Sequence, residues 1–381
     1  MALYRAWNTR LTQRIGSLHT PIIGAPMANA SNSELVSAIS KAGSLGMLGA
    51  GFYDENRLQT ELRGISDKLG ETAPKARVPI GIGFLGWVLT ASHGSADPWA
   101  AQDTKARRLV DLALQARPCA ILMAFGTRAD MKAWCKYIRQ RDAELVKTEE
   151  PLHLFVTANS VEEAKLVVEE CDADIIVLQG NGAGGHGYGA SPHREVLLKQ
   201  VLGAYEAWMT PRGTKPLIVT AGGVGDGTDV AADLLRGADG VLLGTRFLLT
   251  PEADYKDEQK QLLLKAKETD TIRSYAFDEA RNTMSWPEGI DGRGLYSPTV
   301  AEYEAAAAQA PKGTTHVPGW QERQARYKQA MAQNDVERLI TWSGTGVGAM
   351  NDICPAGQLV VRLTQEAAHA LERASLYIEK A

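Results

Sequence analysis

Pro216-Leu-Ile-Val-Thr-Ala-Gly-Gly-Val-Gly-Asp-Gly227 holds a complete strand-to-helix turn. The run Pro216–Ala221 is apolar almost throughout, without the alternation of a half-exposed strand, so it suits a parallel strand covered on both faces. Paired glycines end it. Asp226 then stands where a helix N-cap belongs, and the following segment runs to Leu235 and stops at Gly237.

The same unit recurs along the chain. Working outward, comparable runs are Pro21–Pro26, Ser44–Ala50, Val78–Leu85, Cys119–Phe125, Leu152–Thr157, Ala173–Leu178 and Gly240–Gly244, eight in all with Pro216–Ala221. Helical segments lie between them. Ser31-Asn-Ser-Glu34 and Ser160-Val-Glu-Glu163 both have the capping-box pattern. Eight alternations predict an α/β fold, a closed (β/α)8 TIM barrel. A doubly wound open sheet competes, but usually needs fewer strands.

The alternation stops at Thr250. We therefore divide the chain into a barrel over residues 1–250, a mainly helical lid or side insertion over 251–345, and a return to the barrel wall over 346–381. Helices are expected at Glu258–Glu268, Gln321–Gln333 and Ala301–Ala310, with a loop-rich stretch at Trp286–Gly294. Pro355–Val361 leads into an amphipathic C-terminal helix.

Composition narrows the function classes. The 381 residues are 44% hydrophobic and 23% charged, with a formal charge of −4. That is an ordinary globular balance, and no Lys/Arg block suited to nucleic acid is present. Lys105-Ala-Arg-Arg108 reads as a solvated helix face. No apolar run is long enough to span a bilayer. The first residues lack a signal-peptide core and Ile378-Glu-Lys-Ala381 lacks a prenylation box, so a cytoplasmic address is expected. Cys119, Cys135, Cys171 and Cys354 are widely spaced, as for reduced thiols. No His/Asp/Glu cluster has metal-ligand spacing.

In such a barrel the loops after the strands build the active site. The sixth run leads into Gln179-Gly-Asn-Gly-Ala-Gly-Gly-His186-Gly, where glycines free backbone N–H groups and His186 is titratable. Gly222-Gly223 and Gly244-Thr245 follow the seventh and eighth runs, the usual barrel phosphate position. A phosphate there would leave the reactive part of the ligand near Ala25-Pro26-Met27 and the sixth run. No Walker A sequence or Rossmann fingerprint occurs. His193 reads as structural or at the rim. His93, in the loop after the third run, could reach the barrel mouth.

These segments resemble the FMN-dependent nitronate monooxygenases, formerly called 2-nitropropane dioxygenases. The resemblance rests on Pro21–Met27, Ala42–Gly49, Gln179–His186, Ala221–Gly227 and Gly237–Phe247, with Trp286–Gly294 and Gly344–Gly348 like a longer branch. It implies an FMN phosphate at Gly222, Gly223, Gly244 and Thr245, with the ring near Ala25, Pro26, Met27, Gln179 and Gly184. Gly185, Leu243 and Gly83 complete the implied cofactor set, and His186 is the implied catalytic histidine. Two positions depart from the pattern. Gly83 stands where family members often have Asn, and Gly182 where many have Glu.

The implied reaction takes an alkyl nitronate or nitroalkane and O2 to a carbonyl compound and nitrite, with a homodimer left open. Competing readings on the same FMN barrel are an NAD(P)H-dependent quinone or enoyl reductase and a biosynthetic oxidase. A non-redox isomerase or aldolase would want a lysine or paired carboxylates at the strand ends, and neither stands out. A non-catalytic flavin-binding protein is a further alternative that only activity measurements decide.

Overall fold

A computed structural model describes residues 7–311, 314 and 316–377. The extreme N-terminus and Ile378–Ala381, read above for targeting signals, lie outside the described residues. Each of the eight apolar runs forms a strand: β1 (Ile22–Gly24), β2 (Leu45–Gly49), β3 (Val78–Leu85), β4 (Pro118–Ala124), β5 (His153–Ala158) and β6 (Ile175–Gln179), and, after an additional strand β7 (Gly185–Tyr188), β8 (Leu217–Ala221) and β9 (Gly240–Leu243). β1 to β6, β8 and β9 close into a parallel barrel. Closure is made by β1 on β9, with Ile22 opposite Val241 and Gly24 opposite Leu243. The barrel is therefore the (β/α)8 architecture, not the open sheet.

Side chains fill it on both faces. Ile23, Met47, Leu122, Phe155, Val177 and Val219 belong to one buried cluster. Leu48, Ile82, Ile121, Trp134, Val156 and Ile176 belong to a second, which packs helices on strands. Each fully buried side chain of this size contributes roughly 1.5–3 kcal/mol. The C-terminal helix, Ala356–Ala374, starts at once after Pro355 and packs on the helix Gly227–Leu235. Contact there is so close that a Cβ on Gly227 would lie 2.4 Å from the Leu363 carbonyl oxygen.

The caps show how the sequence sets helix starts. Asp226 accepts from Thr228 N (2.8 Å) and Asp229 N (3.0 Å), and Gly237 leaves the helix at φ +106°. Ser160 caps Glu163 N at 3.1 Å, while the Glu163 carboxylate accepts from Asn159 N at 2.7 Å, one residue earlier than a capping box requires. The helix Ser33–Lys41 differs from expectation. Asn32, not Ser31, accepts from Leu35 N at 3.0 Å. Ser31 instead donates to Ala25 O (2.8 Å) and accepts from Met27 N (3.0 Å), which fixes the turn after β1.

Two stretches read as loop contain strands. β7 pairs antiparallel with β11 (Ile290–Leu295), which pairs with β10 (Thr271–Ser274). Glycines hide this sheet from any periodicity argument. A Cβ on Gly292 would meet the Trp342 ring at 2.7 Å, and one on Gly187 would meet Arg273 Nη2 at 2.6 Å. Around the sheet lie helices Asp257–Lys265, Ala276–Arg281, Pro298–Ala307 and Trp320–Gln333, with a core of Phe277, Val300, Tyr303, Val317 and Tyr327. The buried Arg323–Glu279 pair, at 2.6 and 2.9 Å, ties two of these helices. Among the described residues no helix is long and apolar enough to cross a membrane.

Candidate active site

A cavity of about 440 Å³ opens at the carboxyl ends of the barrel strands. Ala25, Pro26 and Met27 follow β1, Gln179 ends β6, Gly222 and Gly223 follow β8, and Gly244 and Thr245 follow Leu243 at the end of β9. All of these line it, together with Gly184, Gly185 and His186. Gly83 is not among the lining residues. A Cβ there would lie 2.5 Å from Pro26 Cβ and 2.6 Å from its Cγ, so the proline ring occupies the space a side chain at 83 would need.

The glycine turns are built for close approach. Gly222 and Gly223 have φ +101° and +73°, a region that costs other residues strain. A Cβ on Gly222 would stand 2.9 Å from Gly180 O and Ala183 N. A third turn, Gly344–Gly346, joins the same wall. Gly344 N donates to Thr245 Oγ1 (2.9 Å) and Thr345 N donates to Gly182 O (2.9 Å). Gly184 has no room for a side chain, since its Cβ would be 2.5 Å from Gly344 N. At Gly182 the obstacle is Thr345 Oγ1, 2.7 Å away. A bulky acidic residue at 182 is thus incompatible with threonine at 345 as placed.

Gln179 donates from Nε2 to His186 O at 3.1 Å, while its buried Oε1 has no partner among the described residues. Such an orphaned acceptor in a cavity wall calls for an N–H from a ligand.

His186 lies on β7 rather than in a loop. Its Nε2 is 2.9 and 3.1 Å from the two carboxylate oxygens of Asp278, on the helix Ala276–Arg281. Asp278 also accepts from Thr283 Oγ1 at 2.7 Å, and its side chain is 2% exposed. The imidazole stacks on Trp286 at 3.7 Å between centroids with planes 13° apart, and Trp342 lies at 5.2 Å. The carboxylate only accepts, so Nε2 keeps its proton and donates to Asp278. In the neutral ring the lone pair is then at Nδ1.

Charges bind the small sheet to the glycine-rich segment. Arg273 and Arg293 each donate to Asn181 O at 3.0 Å, and Arg273 pairs with Asp291. Burial pushes the Asp291 carboxyl up against the opposing pull of Arg273, and burial with the neighbouring Arg273 lowers Arg293. Tyr255, another lining residue, accepts from Trp342 N at 2.8 Å, and burial raises its phenol.

Two histidines lie elsewhere. His93 ends the helix Gly86–His93 and is buried, with Nδ1 at 2.8 Å from Thr104 Oγ1 and Nε2 at 2.9 Å from Asp97 O. It pins the 94–104 loop and does not line the cavity. His193 precedes the helix Arg194–Tyr205. Asp278, Trp342 and the Gly344–Gly346 turn were not foreseen as site residues. Asp278 is 92 residues from His186, and no local signal marks it.

The chain is similar to known proteins over nearly its whole length. The family model described as nitronate monooxygenase matches residues 9–366. A nitronate monooxygenase of Neurospora crassa is 30% identical over 92% of this chain and 90% of its own length. One of Pseudomonas aeruginosa is 29% identical over 94% and 98%. Among solved structures, nitroalkane oxidase from Streptomyces ansochromogenes has a TM-score of 0.69 at 25% identity, covering 96% of this chain and 99% of that one. FabK from Thermotoga maritima, at 22% identity and TM-score 0.70 over 98% and 100%, shares the fold. Sequence, barrel and relatives together establish that the chain belongs to the nitronate monooxygenase family.

Proposed function

We propose that this enzyme binds FMN and oxidises small alkyl nitronates or nitroalkanes with O2, giving a carbonyl compound and nitrite. The carrying observation is the His186–Asp278 pair beside a cavity that His186 lines together with three glycine turns. The residues fit the cofactor. The turns at Gly222-Gly223, Gly244-Thr245 and Gly344–Gly346 all line the cavity and pack tightly on one another, which presents backbone at the strand-end position suited to a phosphate. The orphaned Gln179 Oε1 can accept an N–H from the ring system.

Bound FMN would supply the one-electron redox chemistry. The chain does the rest. His186 Nδ1 accepts the α-proton of a neutral nitroalkane, while a protonated ring holds a preformed nitronate through an oxygen. Asp278 fixes the ring and its tautomer. Trp286 and Trp342 pack about the imidazole and keep bulk water from it.

The test is the absorbance spectrum of the purified protein, before and after adding ethyl nitronate under air. A flavin spectrum with O2 uptake and nitrite release supports the reading. A colourless protein, or rapid anaerobic bleaching of the flavin by NADH with no nitronate turnover, overturns it.

A further inference from the structure

Beside the main cavity lies a second crevice of about 210 Å³, and the two share Phe125 and Thr157 as lining residues. Met131, Leu166, Val167 and Ile290 give it an apolar wall, and the charged Arg128, Glu163 and Glu288 with the polar Asn159 and Tyr188 are also on its lining. Most of the lining comes from the barrel, at the ends of β4 and β5 and the helices that follow them. The rest is Tyr188 of β7 with Pro287, Glu288 and Ile290, just beyond Trp286.

Phe125 stands between the two spaces, and its backbone is unusual. Its φ is +51°, in the left-handed region that a bulky residue rarely adopts. Strain of this kind persists where surrounding structure enforces it, and it gathers at functional positions. Here Phe125 O accepts from Trp87 N at 3.0 Å, and the ring meets Trp286 edge-on at 5.6 Å. Trp286 is the residue stacked on His186. The partition is therefore one aromatic ring removed from the proposed proton acceptor.

We propose that this crevice is a subsite for the alkyl substituent of the nitronate, with Phe125 as the partition that the chain passes. The occupant follows from continuity with the cavity and from the apolar wall. A nitronate carbon held beside His186 directs its substituent toward Phe125 and Thr157, and Leu166, Val167 and Ile290 receive the methylenes. This inference rests on the nitronate reading above.

The experiment measures kcat/KM for the nitronates of straight-chain 1-nitroalkanes, from nitroethane to nitrohexane, with the wild-type enzyme, Leu166→Trp and Leu166→Ala. Leu166 lines the crevice and not the main cavity. The readout is the slope with chain length rather than the absolute rate. Burying each added methylene should raise wild-type kcat/KM by about fourfold until the crevice is full. Leu166→Trp should flatten that rise, and Leu166→Ala should carry it to longer chains. Turnover of ethyl nitronate with no rise, or with the same slope in all three proteins, would overturn the subsite alone. Failure to turn over any nitronate would overturn the reading beneath it as well.

Discussion

His186 Nε2 and the Asp278 carboxylate stand 2.9 Å apart although 92 residues separate them in the chain. One partner comes from a strand directly after β6, the other from a helix built after the barrel is complete. The pair therefore exists only when the small antiparallel sheet docks β11 against β7, with Gly292 opposite His186.

Asp278→Asn preserves the shape but puts an amide that can donate where only an acceptor stood. It favours the tautomer with the proton on Nδ1, the nitrogen proposed to act as base. We expect kcat/KM for neutral nitroethane to fall by roughly 10²–10⁴-fold, the usual worth of general base catalysis, with a much smaller loss for ethyl nitronate. Steady-state oxygen uptake with each substrate checks this. Equal losses on both would assign Asp278 to folding rather than to orienting the imidazole.

The glycine-rich segment makes two different predictions. Gly184→Ala places a methyl 2.5 Å from Gly344 N, against backbone that cannot step aside. It should destabilise the protein by about 1–3 kcal/mol and lower the ratio of bound flavin to protein. Gly182→Ala meets only Thr345 Oγ1, at 2.7 Å, so the double variant Gly182→Ala/Thr345→Ala should recover flavin retention and Tm. If the second substitution brought no recovery, the contact would not be what keeps residue 182 small.

Stability in acid should depend on His153. Burial at the start of β5 pushes its imidazole down to about 4, with Asp174 opposing. The unfolded chain then binds a proton between roughly pH 6.5 and 4 that the folded chain does not. Stability on this account is retained above about pH 6.5 and lost as pH falls toward 4, by about 3 kcal/mol in total. Urea unfolding of His153→Gln should show a shallower decline over that range. An unchanged pH profile would contradict the assignment.

The barrel was legible because parallel strands leave near-continuous apolar runs, and Val78–Leu85 was read to the residue. The strand-end glycines were legible for the same reason, since each interrupts such a run at a fixed place. What escaped was whatever depended on tertiary pairing. β7 and β11 are rich in glycine, and Ile290 is their one β-branched residue, so neither reads as a run of strand-forming side chains. Asp278 sits in a six-residue helix whose sequence, Ala276–Arg281, is unremarkable. Ser31 matched a capping box, but its hydroxyl is more useful to the turn after β1, and Asn32 took the cap. Gly83 shows the same limit. Only the fold brings Pro26 over it.

The most direct test of the account is His186→Asn, assayed with nitroethane and with ethyl nitronate in protein confirmed to retain its flavin. The account predicts a fall in nitroethane kcat/KM of roughly 10²–10⁴-fold, and slower turnover of the nitronate than in wild type. Unchanged rates on both substrates would contradict it, because His186 is the group proposed to take that proton.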